Sequence, residues 1–279
     1  MITIKTPEEI ILLREGGKRL ASVLRRVVER VRPGVSTCEL DAFAQELILH
    51  CGGVPSFKGY RLPDVQTAFP ATICASVNDE VVHSIPREDR ILQMGDIIGI
   101  DIGMWYPADA TIRFPASNSN KKRVRGSVKR AGLATDMAVT VPVGEISEEA
   151  AMLLSVTKEA LNIGINAVVP GKRVGDISYA IQTYLDKHGL GIVRGLAGHG
   201  VGYEVHEEPM IPNYGQANTG PDLKEGMVIA IEPMATLGGD EIKLDNDQWT
   251  FRTADGSLAA HFEHSVAVTK DGAEVLTLL

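Results

Sequence analysis

Three acidic side chains stand in segments that otherwise have the composition of buried β-strands. Asp101, Glu232 and Glu263 each lie within, or directly after, a run of β-branched and other apolar residues. A lone buried carboxylate is strongly destabilising unless it is paired with a cation or binds a metal. Three such carboxylates in one chain therefore predict a shared cation site.

Two further residues extend this candidate site. Asp136 begins another strand-like segment, and His199 lies in the glycine-rich stretch 198–202, where the backbone can approach a site closely. Taken alone, a histidine in such a stretch is more often structural than a metal ligand. Four carboxylates and one imidazole suit two divalent ions such as Mn, Co, Fe or Zn. Two ions about 3.5–4 Å apart can share a hydroxide nucleophile and polarise a carbonyl group.

The elements that must position these side chains can be predicted from local signals. Thr6 and Glu9 form a helix-capping box with Pro7 at the first helical position, and Ser36 and Glu39 form a second capping box. The predicted helices run from Thr6 to about Glu29, from Ser36 to about Gly52, from Ser147 to about Val168, and from Asp176 to about His188. Segments rich in β-branched residues predict strands over Ala71–Val77, Ile97–Trp105, Met137–Val143, Val228–Ile231 and Ala259–Val268.

An internal repeat links the two parts of the chain. The residues 31–34 (Val-Arg-Pro-Gly) recur 137 positions later as 168–171 (Val-Val-Pro-Gly), each between two predicted helices. One interpretation is a chance similarity of amphipathic helices. The other is two related halves that pack around a shared sheet with the site between them. Since no linker separates the halves, we predict a single domain over residues 1–279.

Composition and charge exclude several classes of protein. Hydrophobic residues make up 44% of the 279 residues and charged residues 23%, which is an ordinary globular balance. The net charge of −8 argues against a protein that coats nucleic acid. We find no apolar run of membrane-spanning length and no signal peptide, and the three cysteines fit no metal spacing. These features predict a cytoplasmic protein with reduced thiols and no membrane partner.

Five segments resemble type I methionine aminopeptidases, and they occur in that family's order. They are residues 73–83 (Ile-Cys-Ala-Ser-Val-Asn-Asp-Glu-Val-Val-His), 198–202, 206–209, 231–234 and 262–264. The resemblance covers essentially the whole chain. It implies an α+β pita-bread fold, in which two pseudo-symmetric halves have helices backing a curved antiparallel sheet. It also implies removal of the N-terminal initiator methionine from nascent proteins when the second residue is small.

The resemblance implies a ligand set for two divalent metal ions, drawn from Co, Mn, Fe and Zn. The matching positions are Asp101, Asp136, His199, Glu232 and Glu263. Asp136 and Glu263 match the carboxylates that bridge the two ions. Asp101 would complete the shell of one ion, and His199 and Glu232 that of the other.

The resemblance also implies catalytic roles. His83 matches the histidine that contacts the amino end and scissile region of the substrate, and His206 matches the one that steadies the carbonyl oxyanion. Glu263 is a plausible base for the activated water. His261, two residues before Glu263 on the same predicted strand, would support the ligand shell by a hydrogen bond. The alternative for His261 is an ordinary polar strand residue.

The pocket for the methionine side chain is expected to be apolar. By similarity, Phe57, Tyr60 and Trp249 are candidates for its walls, since aromatic rings contact a thioether favourably. Phe57 is also compatible with a purely structural place in the core. The chain departs from its relatives at Val205, where many bacterial members have an aromatic residue, and over residues 61–67, which form a longer segment.

Two residues compete for the role of the second aspartate ligand. Relatives place this residue a short distance after the first, which favours Asp109, whereas Asp136 lies 35 positions after Asp101. We select Asp136 because its strand leads directly to the capped helix at Ser147, as in the family. Asp109 is instead followed by the loop-like residues 115–120.

Selecting Asp136 implies an insertion at about residues 107–131, at the tip of a hairpin. Extra loop length costs little there, about 0.6 kcal/mol per doubling. Within the insertion, residues 121–130 (Lys-Lys-Arg-Val-Arg-Gly-Ser-Val-Lys-Arg) are strongly basic in an acidic protein. One interpretation is a solvated surface loop. The other is a transient contact with ribosomal RNA near the exit of nascent chains.

Three rival functions share the expected fold. Proline-specific peptidases usually carry an additional N-terminal domain, whereas the first helix here begins at Thr6. Non-catalytic relatives lose metal ligands, and all five are present here. Type II methionine enzymes carry a helical insertion for which the stretch between Glu232 and Glu263 leaves no room. We expect the protein to act on the N-termini of nascent polypeptides as a monomer.

Overall fold

The computed structural model describes residues 2–63, 65–111 and 131–278. The helices in these ranges are α1 (Pro7–Val28), α2 (Thr37–His50), α3 (Glu148–Asn166) and α4 (Val174–Lys187). All of them begin and end within a few residues of the predicted bounds. No helix in the described ranges is long and apolar enough to cross a membrane.

The predicted capping residues explain where the helices begin. The Thr6 hydroxyl accepts a hydrogen bond from the Glu9 amide, and the Thr6 amide donates to the Glu9 carboxylate at 2.8 Å. Ser36 and Glu39 form the same reciprocal pair at the start of α2. Ser147 caps α3 through its hydroxyl. These side chains satisfy backbone amides that have no partner within the helix.

The strands are β1 (Val54–Pro55), β2 (Ile73–Val77), β3 (Glu80–Val82), β4 (Ile97–Thr111), β5 (Ala131–Pro142), β6 (Gly191–Ile192), β7 (Gly198–Gly200), β8 (Glu207–Ile211), β9 (Val228–Ile231), β10 (Met234–Thr236), β11 (Ile242–Leu244), β12 (Phe251–Thr253), β13 (Ala259–His261), β14 (Glu263–Thr269) and β15 (Gly272–Val275). Nine of them form one antiparallel sheet in the order β1-β4-β5-β14-β9-β7-β8, with β2 on β4 and β15 on β14.

The helices cover this sheet in two equivalent halves. In the first half, α1 and α2 pack side chains such as Leu20 and Leu40 against Ile100 of β4. In the second half, α3 and α4 pack side chains such as Leu153 and Ile181 around the other end of the sheet. The predicted α+β fold, with two pseudo-symmetric halves backing a curved antiparallel sheet, is confirmed.

The repeated Pro-Gly pairs have the same structural role in both halves. Gly34 lies between α1 and α2 with φ of +90°, and Gly171 lies between α3 and α4 with φ of +82°. A side chain is disfavoured in this left-handed backbone region, so glycine suits each turn. The interpretation of the repeat as two related halves agrees with this geometry.

Three strand predictions were wrong in their limits. The predicted strands Ile97–Trp105 and Met137–Val143 are longer, because β4 and β5 continue to pair as far as Thr111 and Ala131. Asp136 therefore lies inside β5 and does not begin it. The predicted strand Ala259–Val268 is divided at Phe262, since β13 pairs with β10 and β14 pairs with β5 and β9.

The predicted insertion at 107–131 overlaps the ends of this hairpin. Residues 107–111 belong to β4, and β5 begins at residue 131. The basic run 121–130 lies outside the described residues.

Candidate metal centre and active site

The five predicted metal ligands line one pocket. We call them the floor of the site: Asp101 on β4, Asp136 on β5, His199 on β7, Glu263 on β14, and Glu232 directly after β9.

Strand register brings the floor together. Ala138 of β5 lies opposite Asp101 on one side and opposite Glu263 on the other. Residues directly opposite each other in a sheet point to the same face, as do residues two positions apart. Asp136, two residues before Ala138, therefore projects beside Asp101 and Glu263. His199 joins them from β7, which pairs with β9.

The described ligand atoms are close enough to share a cation. One atom from each of Asp136, His199 and Glu263 lies within 4.8 Å of the other two. Glu232 borders this group, with its Oε1 atom 3.5 Å from His199 Nε2. Asp101 lies next to Asp136, since the two residues project to the same face from the paired strands β4 and β5.

Unsatisfied oxygens show that the floor suits positive charge. Asp101 Oδ1, Asp136 Oδ1 and Glu263 Oε1 are buried and have no hydrogen-bond partner in the described part of the chain. Buried polar atoms are normally hydrogen-bonded, and an exception calls for an explanation such as an ion. The donor set of carboxylates and one imidazole fits divalent metals of the Mn, Fe, Co and Zn group.

Electrostatics lead to the same conclusion. Burial raises the pKa of Asp101 to about 6. Burial, followed by the neighbouring negative charges, raises the pKa of Asp136 and that of Glu263 well above their ordinary values. Burial lowers the pKa of His199 to about 4, so its ring is neutral and able to ligate a metal. Crowded carboxylates disfavour ionisation, and bound cations would reverse that preference.

Two histidines face the floor from the pocket rim, a name that we keep for His83 and His206. His83 follows β3 with φ of +59°, a left-handed conformation that is uncommon for a residue with a side chain. His206 precedes β8; its ring centroid lies 4.4 Å from that of His199, and its Nδ1 atom lies 2.7 Å from the Tyr60 hydroxyl. Burial lowers the pKa of His83 to about 4 and that of His206 to about 3, so both rings are neutral.

Strand β3, which His83 directly follows, is held by an ion-pair network. Arg252 of β12 contacts Glu80 at 2.7 Å and Asp79 at 3.1 Å, and Asp245 at 2.8 Å. The second oxygen of the Glu80 carboxylate accepts from the Val77 amide at 2.7 Å. These contacts join strand β3, and the turn between β2 and β3, to β12.

The predicted aromatic residues Phe57, Tyr60 and Trp249 also line the pocket. Phe57 is buried and packs in a cluster that includes Trp249 and Val205, so it is part of a small core as well as part of the pocket lining. Val205 thus occupies buried apolar space beside these aromatic rings.

Sequence reasoning missed three lining residues. Phe69 meets the Trp249 ring edge-on with centroids 5.2 Å apart, and Leu62 and Cys74 complete the wall. Cys74 could have been found, since β2 precedes β4 and its register places Cys74 opposite Asp101. Phe69 and Leu62 lie on a connection without regular periodicity, which gave no signal.

His261 and Asp109 occupy different surroundings from the floor. His261 is buried with its Nε2 atom 3.3 Å from Glu232 Oε2, although without hydrogen-bond geometry. The prediction that His261 shares a strand with Glu263 was wrong, because Phe262 separates β13 from β14. Asp109 is exposed near the end of β4 and does not line the pocket.

Comparisons with known proteins match the chain from end to end. The model of metallopeptidase family M24 matches residues 12–129 and 124–270. The chain is 43% identical to methionine aminopeptidase of Clostridium acetobutylicum over 278 residues, 100% of this chain and 99% of that protein. It is also 43% identical to methionine aminopeptidase 1 of Bacillus subtilis, covering 99% of each.

Solved structures agree with these relatives. The crystal structure of methionine aminopeptidase from Thermotoga maritima superposes with a TM-score of 0.87 at 38% identity, covering 100% of both chains. Prolidase from Pyrococcus furiosus, at 22% identity and a TM-score of 0.71, covers 99% of this chain and 65% of its own, and shares the fold. The pita-bread fold is therefore confirmed. On these grounds the chain is a hydrolase that belongs to metallopeptidase family M24, among the methionine aminopeptidases.

Proposed function

We propose that this enzyme removes the N-terminal initiator methionine from nascent polypeptides when the second residue is small. The observation that carries the proposal is the juxtaposition of three features in one pocket. These are a floor of acids and one imidazole, two neutral histidines on the rim, and an aromatic wall.

The floor would hold two divalent ions. Asp136 and Glu263 would lie between them, Asp101 would complete one shell, and His199 and Glu232 the other. When bound, such ions polarise a carbonyl group and lower the pKa of water. The ions would be Co, Mn, Fe or Zn, in agreement with the mixed oxygen and nitrogen donors.

The remaining chemistry falls to side chains. Glu263 lies at the base of the pocket and is a candidate to accept a proton from the attacking water. His206 has its Nδ1 engaged by the Tyr60 hydroxyl, which leaves Nε2 to donate to the developing oxyanion. His83, on the opposite part of the rim, would contact the amino end and scissile region of the substrate. His261, against Glu232, would steady that ligand from outside the pocket.

The aromatic wall supports selection for methionine. Phe57, Tyr60 and Trp249 offer ring edges and faces to a flexible thioether, at about 0.3–1.5 kcal/mol for each sulfur–ring contact. Phe69 closes the same wall against Trp249. A side chain as large as methionine would fill this apolar space, whereas a lysine side chain would bury an unpaired charge there.

The deciding experiment compares three peptides on metal-reconstituted enzyme. We expect release of the first residue from Met-Ala-Ser, and little turnover of Met-Lys or Ala-Pro peptides. The prolidase fold neighbour makes Xaa-Pro cleavage the relevant competing activity. Equal or faster hydrolysis of Ala-Pro would overturn the proposal in favour of a proline-specific enzyme.

We further propose that residues 1–279 form one catalytic domain that acts as a monomer in the cytoplasm. The basic run 121–130, inserted between β4 and β5, would contact ribosomal RNA transiently. The support for that contact is the concentration of positive charge in a chain whose net charge is −8.

A further inference from the structure

The N-terminal segment that precedes α1 crosses the part of the chain that carries His206. Ile2 forms a parallel bridge with Glu208, and the Lys5 amide donates to the Gly226 carbonyl at 2.7 Å. At the second of these contacts, the Lys5 side chain enters the protein interior, where only 1% of it is exposed. Lysine is almost never fully buried unless its charge is paired.

Glu207 pairs with this buried lysine, and each of its oxygens has a separate role. Lys5 Nζ donates to Glu207 Oε2 at 2.8 Å, and the Thr3 hydroxyl donates to the same oxygen. Oε1 accepts from the amides of Tyr203 and Glu204, at 2.5 Å and 3.0 Å. One carboxylate therefore connects the N-terminal segment to the turn directly before His206.

The backbone around the ion pair is shaped to admit the lysine. A Cβ atom at Gly202 would lie 2.5 Å from Lys5 Cε, and the φ of Gly202 is +138°. Glycine is therefore required at this position on two grounds, close approach and conformation. The ammonium group also lies 5.1 Å from the centre of the Tyr203 ring, whose hydroxyl donates to Glu9 at 2.6 Å.

The turn lies between strands, and backbone hydrogen bonds join its first residues to β9 and β5, from the Val201 amide to the Val228 carbonyl and from the Ala134 amide to the Gly202 carbonyl. β7 ends at Gly200 and β8 begins at Glu207, so His206 lies on the connection between them. The Tyr203 and Glu204 amides donate hydrogen bonds to the Glu207 carboxylate. Most floor residues, in contrast, lie on strands that pair with a neighbouring strand. We propose that Lys5 is a positioning residue for the reaction: through Glu207 it fixes the turn that places His206 over the pocket.

This inference rests on the proposed role of His206, and its test separates the two. Lys5→Met keeps the length of the side chain and removes its charge. We expect kcat on Met-Ala-Ser to fall about 10- to 100-fold, since displacement of a catalytic group by about 1 Å can cost a hundredfold. KM should change less than twofold in this variant, and metal content should stay at the wild-type level. Arg14→Met is the matched control, because it removes another N-terminal ion pair, to Glu274 at 3.0 Å, away from the pocket.

The same substitution in a His206→Ala background identifies the route of the effect. If Lys5 acts through His206, adding Lys5→Met to His206→Ala should change kcat less than twofold. Unchanged kcat in Lys5→Met alone, or an equal further fall in the His206→Ala background, overturns the inference. If Lys5→Met does not fold, Lys5→Met/Glu207→Gln leaves no buried charge unpaired, and the same two criteria apply to it. Failure of the wild-type enzyme to hydrolyse Met-Ala-Ser would instead refute the proposed function.

Discussion

Most residues of the floor project from strands whose neighbours are fixed by backbone hydrogen bonds, whereas the rim histidines lie directly outside strands, on segments that side-chain contacts also support. Asp101 and Glu263 are both register partners of Ala138. His206 instead lies on a turn bonded to Glu207, and His83 directly follows β3, which is joined to β12 both by strand pairing and by the Arg252–Glu80 ion pair. The same pocket is therefore built by two different means.

Burial acts on both regions, but with opposite consequences. It raises the pKa of Asp101, Asp136 and Glu263 and lowers the pKa of the rim imidazoles, since it disfavours the charged form in each case. A cation on the floor would restore the carboxylates to their charged form. The rim rings are neutral and can each donate one hydrogen bond. We therefore expect changes on the floor to alter metal binding, and changes on the rim to alter kcat.

The largest effect is expected from Glu263→Ala. If Glu263 holds the ions and accepts the proton as proposed, turnover should be abolished and at least one metal ion lost. The measurement is peptide hydrolysis together with metal content by mass spectrometry. Glu263→Gln is the matched variant, since it keeps the size of the side chain and should also be inactive. Normal activity with two bound metals in either variant would show that the assignment is wrong.

The second effect distinguishes two aspartates on the same hairpin. Asp136→Asn should lower activity by at least about 100-fold, the upper end for residues one layer beyond the ligands. Asp109→Asn should leave activity largely intact, since Asp109 is exposed and does not line the pocket. The assay is Met-Ala-Ser hydrolysis at saturating metal. The reverse outcome would transfer the ligand role to Asp109.

A rim substitution should leave the floor intact. His206→Ala should lower kcat by about 10²–10³, the usual loss for one oxyanion donor, with little change in metal content. Tyr60→Phe removes only the hydroxyl next to His206 Nδ1 and should cause a smaller loss. If His206→Ala loses metal and regains kcat on reconstitution, then His206 belongs to the floor as a ligand.

The comparison also explains what could be predicted from the sequence. Acids within apolar strands are visible locally, and the helix caps at Thr6 and Ser36 located their helices closely. The ion pairs that support the segments next to His206 and His83 could not be predicted from the sequence, because their partners are far apart in the chain. Lys5 and Glu207 are separated by 202 positions, and Arg252 and Glu80 by 172.

Local patterns failed in a different way at Phe262. The segment 259–268 has the composition of one continuous strand, but Phe262 packs in the core of the second half and its amide donates to the Pro233 carbonyl. Tertiary packing therefore overrides the period-2 pattern and sends His261 and Glu263 to different sheets. This explains why His261 approaches Glu232 and why the predicted shared strand was wrong.

A smaller effect is expected at the ion pairs of Arg252, which hold β3 directly before His83. Arg252→Met should destabilise the fold by about 1–3 kcal/mol, because the buried Glu80 carboxylate loses a charged partner. Arg194→Met is the control, since the Arg194–Asp240 pair is about half exposed on both sides and such pairs contribute about 0–1 kcal/mol. The measurement is chemical unfolding of the reconstituted enzyme. Equal losses in the two variants would show that the Arg252 network is no more than a surface pair.

The smallest effect on catalysis is expected from the stretch that connects β4 and β5. Residues 111 and 131 still pair across β4 and β5, beyond an irregularity that follows Tyr106, so the two strands are joined before the replaced stretch begins. Replacing residues 112–130 with a short Gly-Ser turn should therefore leave Met-Ala-Ser hydrolysis unchanged, since loop length has a weak effect on closure entropy. Ribosome binding should weaken, because the replaced stretch contains the basic run 121–130.

A variant of the same length, with every lysine and arginine of that run changed to glutamine, separates the effect of charge from that of loop size. If phosphate contacts drive binding, this variant should lose affinity like the deletion and show a shallower dependence on salt. Wild-type affinity in both variants would leave the insertion as a plain surface loop.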